Sequence, residues 1–272
     1  MLTPDAAWAI ILEHVRSLEP VAVSLEAAMG YCLAGDVRAD RDLPPADRSA
    51  RDGYAVRHDD LARIPCLLRV NGEVAAGSPS RPRVKPGGCV RIFTGANIPP
   101  GADTVIMVEQ TEERDGMVTI RSSEKRGAYI LRRGEDAARN AVLLRAGTKL
   151  GAAQVGVCAA VGRALVKVHR RPRVAILCTG SELRSVKDRV RPHEVRDSNG
   201  PALRVALAQW GFPGARFSQV ADRPAPLLAA LRRAMQRHDV VLFTGGVSAG
   251  KYDLVPDAVA AAGAVLRFHK LA

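Results

Sequence analysis

Apolar positions keep one rhythm in the first part of the chain and another in the last hundred residues. Behind Thr3 and Pro4, Trp8, Ile10, Ile11 and Val15 recur near helical spacing, predicting a capped helix through residue 15. A second short helix is predicted over residues 25–34, stopped by Gly35. Between residues 67 and 122 the apolar residues alternate or run together over 67–70, 90–94, 104–108 and 117–121. Pro86-Gly87-Gly88, Pro99-Pro100-Gly101 and Asp115-Gly116 punctuate them, so this stretch predicts a small β subdomain. A helix over 152–161 and a strand over 164–168 follow, and Arg170-Arg171-Pro172 reads as a linker.

Beyond that linker the pattern becomes a regular alternation. Strand 174–178 is followed by helix 201–210, capped by Asp197, Ser198 or Asn199, and strand 215–220 by helix 224–236, whose Leu227, Leu228, Leu231 and Met235 share a face. Strand 239–243 leads to helix 254–262, and strand 264–269 ends the chain. Alternating short apolar strands and amphipathic helices predict a parallel three-layer α/β domain over 172–272, behind a mixed α+β region over 1–168. In such sheets ligands bind at the carboxyl ends of the strands. Three consecutive strand ends deliver Thr179-Gly180-Ser181-Glu182, Asp222, and Thr244-Gly245-Gly246 followed by Ser248 and Asp253. Glycine-rich backbone N–H groups before a helix form a seat for phosphate, while carboxylates suit a divalent metal or a substrate rich in N–H donors.

Two further segments carry more polar chemistry than a connection requires. Residues 43–56, opened by Leu43-Pro44-Pro45, read as a surface loop with a turn at Asp52-Gly53; residues 132–136, Arg-Arg-Gly-Glu-Asp, read as a second charged loop.

Composition narrows the function classes. With 272 residues, 47% of them hydrophobic, the chain can bury a substantial core and divide into about two domains. No apolar run reaches the length of a membrane span, and the acidic start MLTPDAAWAIILEHV lacks a basic leader, so a cytoplasmic location without membrane contact is expected. The formal net charge is +12, but the arginines are scattered and aromatics make up only 4%, which argues against a nucleic-acid face and suits an anionic small molecule. The five cysteines are far apart without a CxxC pair, and are expected to be thiols rather than disulfides or a zinc site.

The motifs, taken in order, resemble the molybdopterin molybdenumtransferases of molybdenum-cofactor biosynthesis, the bacterial MoeA family related to the C-terminal part of gephyrin. The carrying stretches are SARDGYAV (49–56), RIFTGANIPPGADTVIMVEQ (91–110), RRGED (132–136), PRVAILCTGSEL (172–183), DSNG (197–200) and TGGVSAGKYD (244–253). The resemblance implies insertion of molybdate into adenylylated molybdopterin, with release of AMP and a requirement for Mg²⁺. It also implies a homodimer whose ligand cleft lies between the α/β domain of one subunit and the N-terminal region of the other. Carried over, Asp52, Thr94 and Asp136 come from the N-terminal part, and Glu182, Asp222, Ser248, Asp253 and Lys270 from the α/β domain. Asp52, Asp136, Glu182, Asp222 and Asp253 are the catalytic candidates, with Glu182 and Asp222 as metal ligands. Thr94, Thr179, Gly180, Gly245, Gly246, Ser248 and Lys270 are the candidates for holding the pterin nucleotide.

The sequence departs from the family pattern at Arg48 and Arg51, where Asn and Met are usual, and at Ser181, where an acidic residue is common. It also stops at Ala272, where the family continues with a further loop of the α/β domain and a C-terminal β domain, so an incomplete α/β domain is expected. Two functional classes follow: the insertase itself, or a noncatalytic pterin-nucleotide-binding or dimerising module.

Overall fold

The computed structural model describes residues 2–246, 254–268 and 271. The chain divides into two compact units, Met1–Ala34 with Lys167–Ala272, and Gly35–Val166. Residues 1–34 thus group with the α/β half, a division in space that differs from the contiguous one read along the sequence. The helices among the described residues are α1 (Pro4–His14), α2 (Ala152–Ala160), α3 (Asn199–Gln209), α4 (Pro224–Arg237) and α5 (Val255–Ala261). Thr3 caps α1 by accepting a hydrogen bond from the Ala6 amide at 3.3 Å.

In the α/β unit three parallel strands lie in the order Arg216–Val220, Val174–Thr179, Val240–Thr244. All six residues of the central strand are buried, because both faces are covered. Ala175 and Leu177 pack with Leu227, Leu231 and Val255 of α4 and α5; Val174, Ile176 and Cys178 pack with Leu207 of α3. The three-layer expectation is met, and its continuous apolar run is what a doubly covered parallel strand needs. The chain leaves the central strand for one neighbour and then crosses to the other, so a crevice opens between the ends of Val174–Thr179 and Val240–Thr244.

Three elements differ from their prediction. Residues 264–268 form no strand and pair with nothing in the described sheet; an apolar run becomes a strand only where a ladder partner is available. Residues 25–34 form turns instead of a helix: the Ala27 and Ala28 amides close tight turns on Ser24 and Leu25, and Gly30 takes a left-handed φ of 77°. Arg170-Arg171-Pro172 is no free linker. Arg170 donates to both Asp239 oxygens, at 2.6 and 2.8 Å, and to Glu19, while the Arg173 amide adds a bond to Asp239 at 2.8 Å. These donors hold the Asp239 carboxyl far below the usual carboxylate range.

The other unit is built on a six-stranded sheet ordered Thr104–Met107, Gly53–Val56, Gly88–Ile92, Cys66–Val74, Met117–Ile120, Thr111–Arg114. The β subdomain expectation is met, with one correction. Residues 53–56 are a fully buried internal strand rather than the tail of a surface loop. Tyr54 and Val56 enter one core cluster with Ile106 and Ile120, and Ala55 enters another with Val90 and Val105. A Cβ at Gly53 would lie 1.9 Å from the Ile106 carbonyl oxygen, so only glycine lets these strands approach.

Candidate functional site

The α/β unit brings its predicted residues together at one end of the sheet. Thr179 is the last residue of the central strand and is buried; Asp222 follows the strand Arg216–Val220; Gly245 and Gly246 follow Val240–Thr244. Their closeness can be gauged from the missing side chains. A Cβ at Gly245 would lie 2.2 Å from the Thr179 carbonyl oxygen, and one at Gly246 would lie 2.9 Å from Thr179 Oγ1 and 3.7 Å from Asp222 Oδ1. Both glycines have left-handed backbone, φ 87° and 63°. The loop therefore presses its backbone onto the threonine, as a glycine pair permits and other residues do not.

Polar accounting marks this spot. Thr179 Oγ1 and Asp222 Oδ1 are buried side-chain atoms with no hydrogen-bond partner among the described residues. Buried polar atoms are ordinarily paired, and leaving one unpaired costs roughly 1–3 kcal/mol. Beside them, the exposed Glu182 carboxylate curls back over Gly180, whose hypothetical Cβ would meet Glu182 Oε1 at 2.7 Å. Thr179, Gly180, Glu182, Asp222, Gly245 and Gly246 thus form one constellation. Ser248, Asp253 and Lys270 lie outside the described residues.

One residue absent from the sequence-based site belongs here. Asn199, at the start of α3, donates from Nδ2 to Thr244 Oγ1 at 2.8 Å. Its neighbour Asp197 is buried and accepts from the Gly200 amide at 2.9 Å, so it is the side chain that caps this helix. The Asp197-Ser198-Asn199-Gly200 motif was a usable signal, but a helix-capping role accounted for it without a site. Below the loop, burial and then the hydrogen bond to Asp197 push the Cys178 thiol up to about 12, so it stays protonated and unreactive at neutral pH. All five cysteines are free thiols, and Cys89, Cys158 and Cys178 are buried.

In the other unit three charged motifs converge. Arg48–Ser49 pairs with Ile130–Leu131, and the Gly95 amide donates to Ser49 O at 2.8 Å. Asp52 Oδ1 accepts from both the amide and the hydroxyl of Thr94, each at 2.7 Å, and these donors hold its carboxyl below the usual range. Asp47 accepts from Arg132 Nη1 and the Arg133 amide; Asp42 accepts from Arg133 Nε and the Arg139 amide. The Asp136 amide is tied to Leu43 O at 2.9 Å, and its side chain, like those of Asp52 and Thr94, is exposed. Arg48, one of the departures from the family pattern, keeps a buried Nε without a partner among the described residues.

Oxygen donors at the strand ends are of the kind Mg²⁺ takes, and that ion is often held by one or two carboxylates plus substrate phosphate. Glu182 and Asp222 fit that demand, with the unpartnered Asp222 Oδ1 the better-placed donor. No group of three or more His, Cys, Asp or Glu side chains among the described residues forms a complete protein cage for a metal. No helix among them is long and apolar enough to cross a membrane.

Comparison with known proteins gives the family. Residues 2–162 match the family described as the MoeA N-terminal region (domain I and II), and residues 175–272 match a probable molybdopterin binding domain. A molybdopterin molybdenumtransferase of Staphylococcus epidermidis is 34% identical over 272 residues, covering 98% of this chain and 65% of the relative. One of Nostoc sp. is 38% identical over 253 residues, covering 92% of this chain and 58% of the relative. A crystal structure of the molybdopterin biosynthesis MoeA protein of Pyrococcus horikoshii superposes with a TM-score of 0.79 at 31% identity, covering 96% of this chain and 67% of that one. The chain spans about two thirds of the length of these relatives. With a matched family region covering most of the first 162 residues and a molybdopterin-binding region behind it, the chain belongs to the MoeA family.

Proposed function

We propose that this chain acts in molybdenum-cofactor biosynthesis by inserting molybdate into adenylylated molybdopterin, releasing AMP. The observation that carries this reading is the pair of buried oxygens without a partner among the described residues, Thr179 Oγ1 and Asp222 Oδ1, beneath a left-handed Gly245-Gly246 turn at the crevice of the sheet. The Thr179 hydroxyl is set to donate to a phosphate or pterin oxygen. The Asp222 carboxylate suits a pterin N–H group or a cation. Backbone N–H groups of the glycine turn face negative charge without a Cβ in the way. Mg²⁺, when bound by Asp222 and Glu182, would offset phosphate charge and stabilise the leaving AMP.

Asp52, Thr94 and Asp136 sit on exposed loops, and in this reading they complete the site of a second copy of the chain. Support for such a homodimer comes from α1, where Trp8 and Leu12 are each more than half exposed and, one turn apart, lie along one helical face. A second reading, a pterin-nucleotide-binding module without turnover, is favoured by the Asp52 carboxylate being already engaged by Thr94. Single-turnover insertion of molybdate into adenylylated molybdopterin, followed by AMP release, separates the two. Stoichiometric AMP supports the transferase; tight binding with no AMP leaves only the module.

A further inference from the structure

At the opposite, amino-terminal edge of the same sheet lies a cavity of about 640 Å³, within the range of small-molecule sites. Its wall includes Tyr31, Arg171, Arg173, Phe212, Arg216 and Arg237, all in the α/β unit. A second cavity of about 270 Å³ adjoins it, shares Arg216 and Arg237, and adds Arg233. His238 borders both and is held by a hydrogen bond of 3.2 Å between Nδ1 and Ala234 O.

The charge here is only partly compensated. Glu19 is taken by Arg170, and Asp239 is shared between Arg170 and the wall residue Arg173. Arg171 spends one nitrogen on Met29 O, at 2.7 Å, and lies 4.1 Å from the centroid of the Tyr31 ring. Arg216, Arg233 and Arg237 form no ion pair among the described residues. Guanidinium groups that line one cavity repel one another, and a cavity that holds Arg216, Arg233 and Arg237 without an acid paired to them is suited to an anion able to accept several N–H bonds at once. Phe212, half-buried against the α3 core, adds a planar wall in a chain with only 4% aromatic residues.

We infer that this cavity binds a phosphorylated small molecule carrying a planar ring, of nucleotide size, at a site separate from the strand ends. Its phosphates pair with Arg216 and Arg237, and its ring lies toward Phe212 and Tyr31.

The test is calorimetric titration of ATP and of inorganic pyrophosphate, without metal, into Thr179→Val protein, whose strand-end site is impaired. The same titration follows in that background with Arg216→Gln and Arg237→Gln added. Both arginines are exposed, so circular dichroism is expected to show an unchanged fold. The expected result is ATP binding that persists in Thr179→Val, exceeds pyrophosphate binding, and weakens at least about tenfold when the arginines are replaced. Three results would overturn the inference: no ATP binding tighter than about 1 mM, affinity indifferent to the two arginines, or pyrophosphate binding as tightly as ATP. ATP that binds the unaltered chain but not Thr179→Val protein would place the ligand at the strand ends and also overturn it.

Discussion

The two charged regions of this molecule use similar residues to opposite ends. Around Asp52 and Asp47 three of the four carboxylate oxygens are engaged by the chain's own amides, hydroxyl and guanidinium groups. Such bonds fix loop geometry. At the strand ends Thr179 Oγ1 and Asp222 Oδ1 are buried and have no partner among the described residues. A site poised for a ligand is recognised by what its groups lack, more than by how many charges it gathers.

Glycines break the comparison most severely. Gly53→Ala forces a Cβ to within 1.9 Å of the Ile106 carbonyl inside the six-stranded sheet, and a loss of about 3 kcal/mol is expected in urea unfolding. Gly245→Ala meets the Thr179 carbonyl at 2.2 Å from a left-handed backbone, and should cost about 2 kcal/mol together with pterin binding. The first variant is expected to lower stability through the sheet, with the strand-end constellation left as built. Equal and negligible losses in both would mean that neither backbone approach is needed.

A smaller effect separates structural carboxylates by pH. The Asp239 carboxyl is held low by Arg170 and Arg173, so its contribution is fully present above the unfolded value of about 4 and is lost as pH falls below it. Thermal midpoints should therefore drop on acidification below about pH 4, and Asp239→Asn should flatten that limb while lowering stability at neutral pH. An acid limb identical in the variant would remove this clamp from the account.

The smallest change in stability is expected at Asp222. Asp222→Asn should leave the thermal midpoint unchanged or slightly raised, since its buried Oδ1 has no hydrogen-bond partner among the described residues, while pterin binding falls. Asp52→Ala should do the reverse to stability, because the Thr94 amide and hydroxyl lose their acceptor. Differential scanning calorimetry on the pair reads this directly; a larger stability loss at Asp222 than at Asp52 would invert the comparison.

Much of this was legible in the residues, for identifiable reasons. The α/β alternation could be read because Val174–Thr179 is covered on both faces and needs an unbroken apolar run. Its strand-end residues then followed from the rule for such sheets. Residues 53–56 were misread because Asp52-Gly53 looks like a turn; the glycine instead serves close strand approach, which depends on Ile106, more than fifty residues away. Of the strand expected over 264–269, the described residues 264–268 form none, because pattern specifies an apolar face but not a pairing partner. Asn199 was hidden by the capping role of its motif, since its contact with Thr244 joins the start of a helix to the end of a strand remote in sequence. The basic cavity left no motif at all: its arginines are drawn from three separate segments, at 171–173, 216 and 237.

Thr179→Val tests the central claim most directly, because the replacement keeps the shape of a buried side chain and removes only a hydroxyl that has no partner among the described residues. Titrating molybdopterin into the unaltered and altered proteins, with thermal midpoints recorded alongside, gives both readouts from one pair of samples. The account predicts a midpoint at least as high as that of the unaltered chain and an affinity at least about tenfold weaker, the worth of one hydrogen bond to a charged ligand. An unchanged affinity, or a lowered midpoint with binding intact, would show that this hydroxyl serves the fold and that the ligand sits elsewhere.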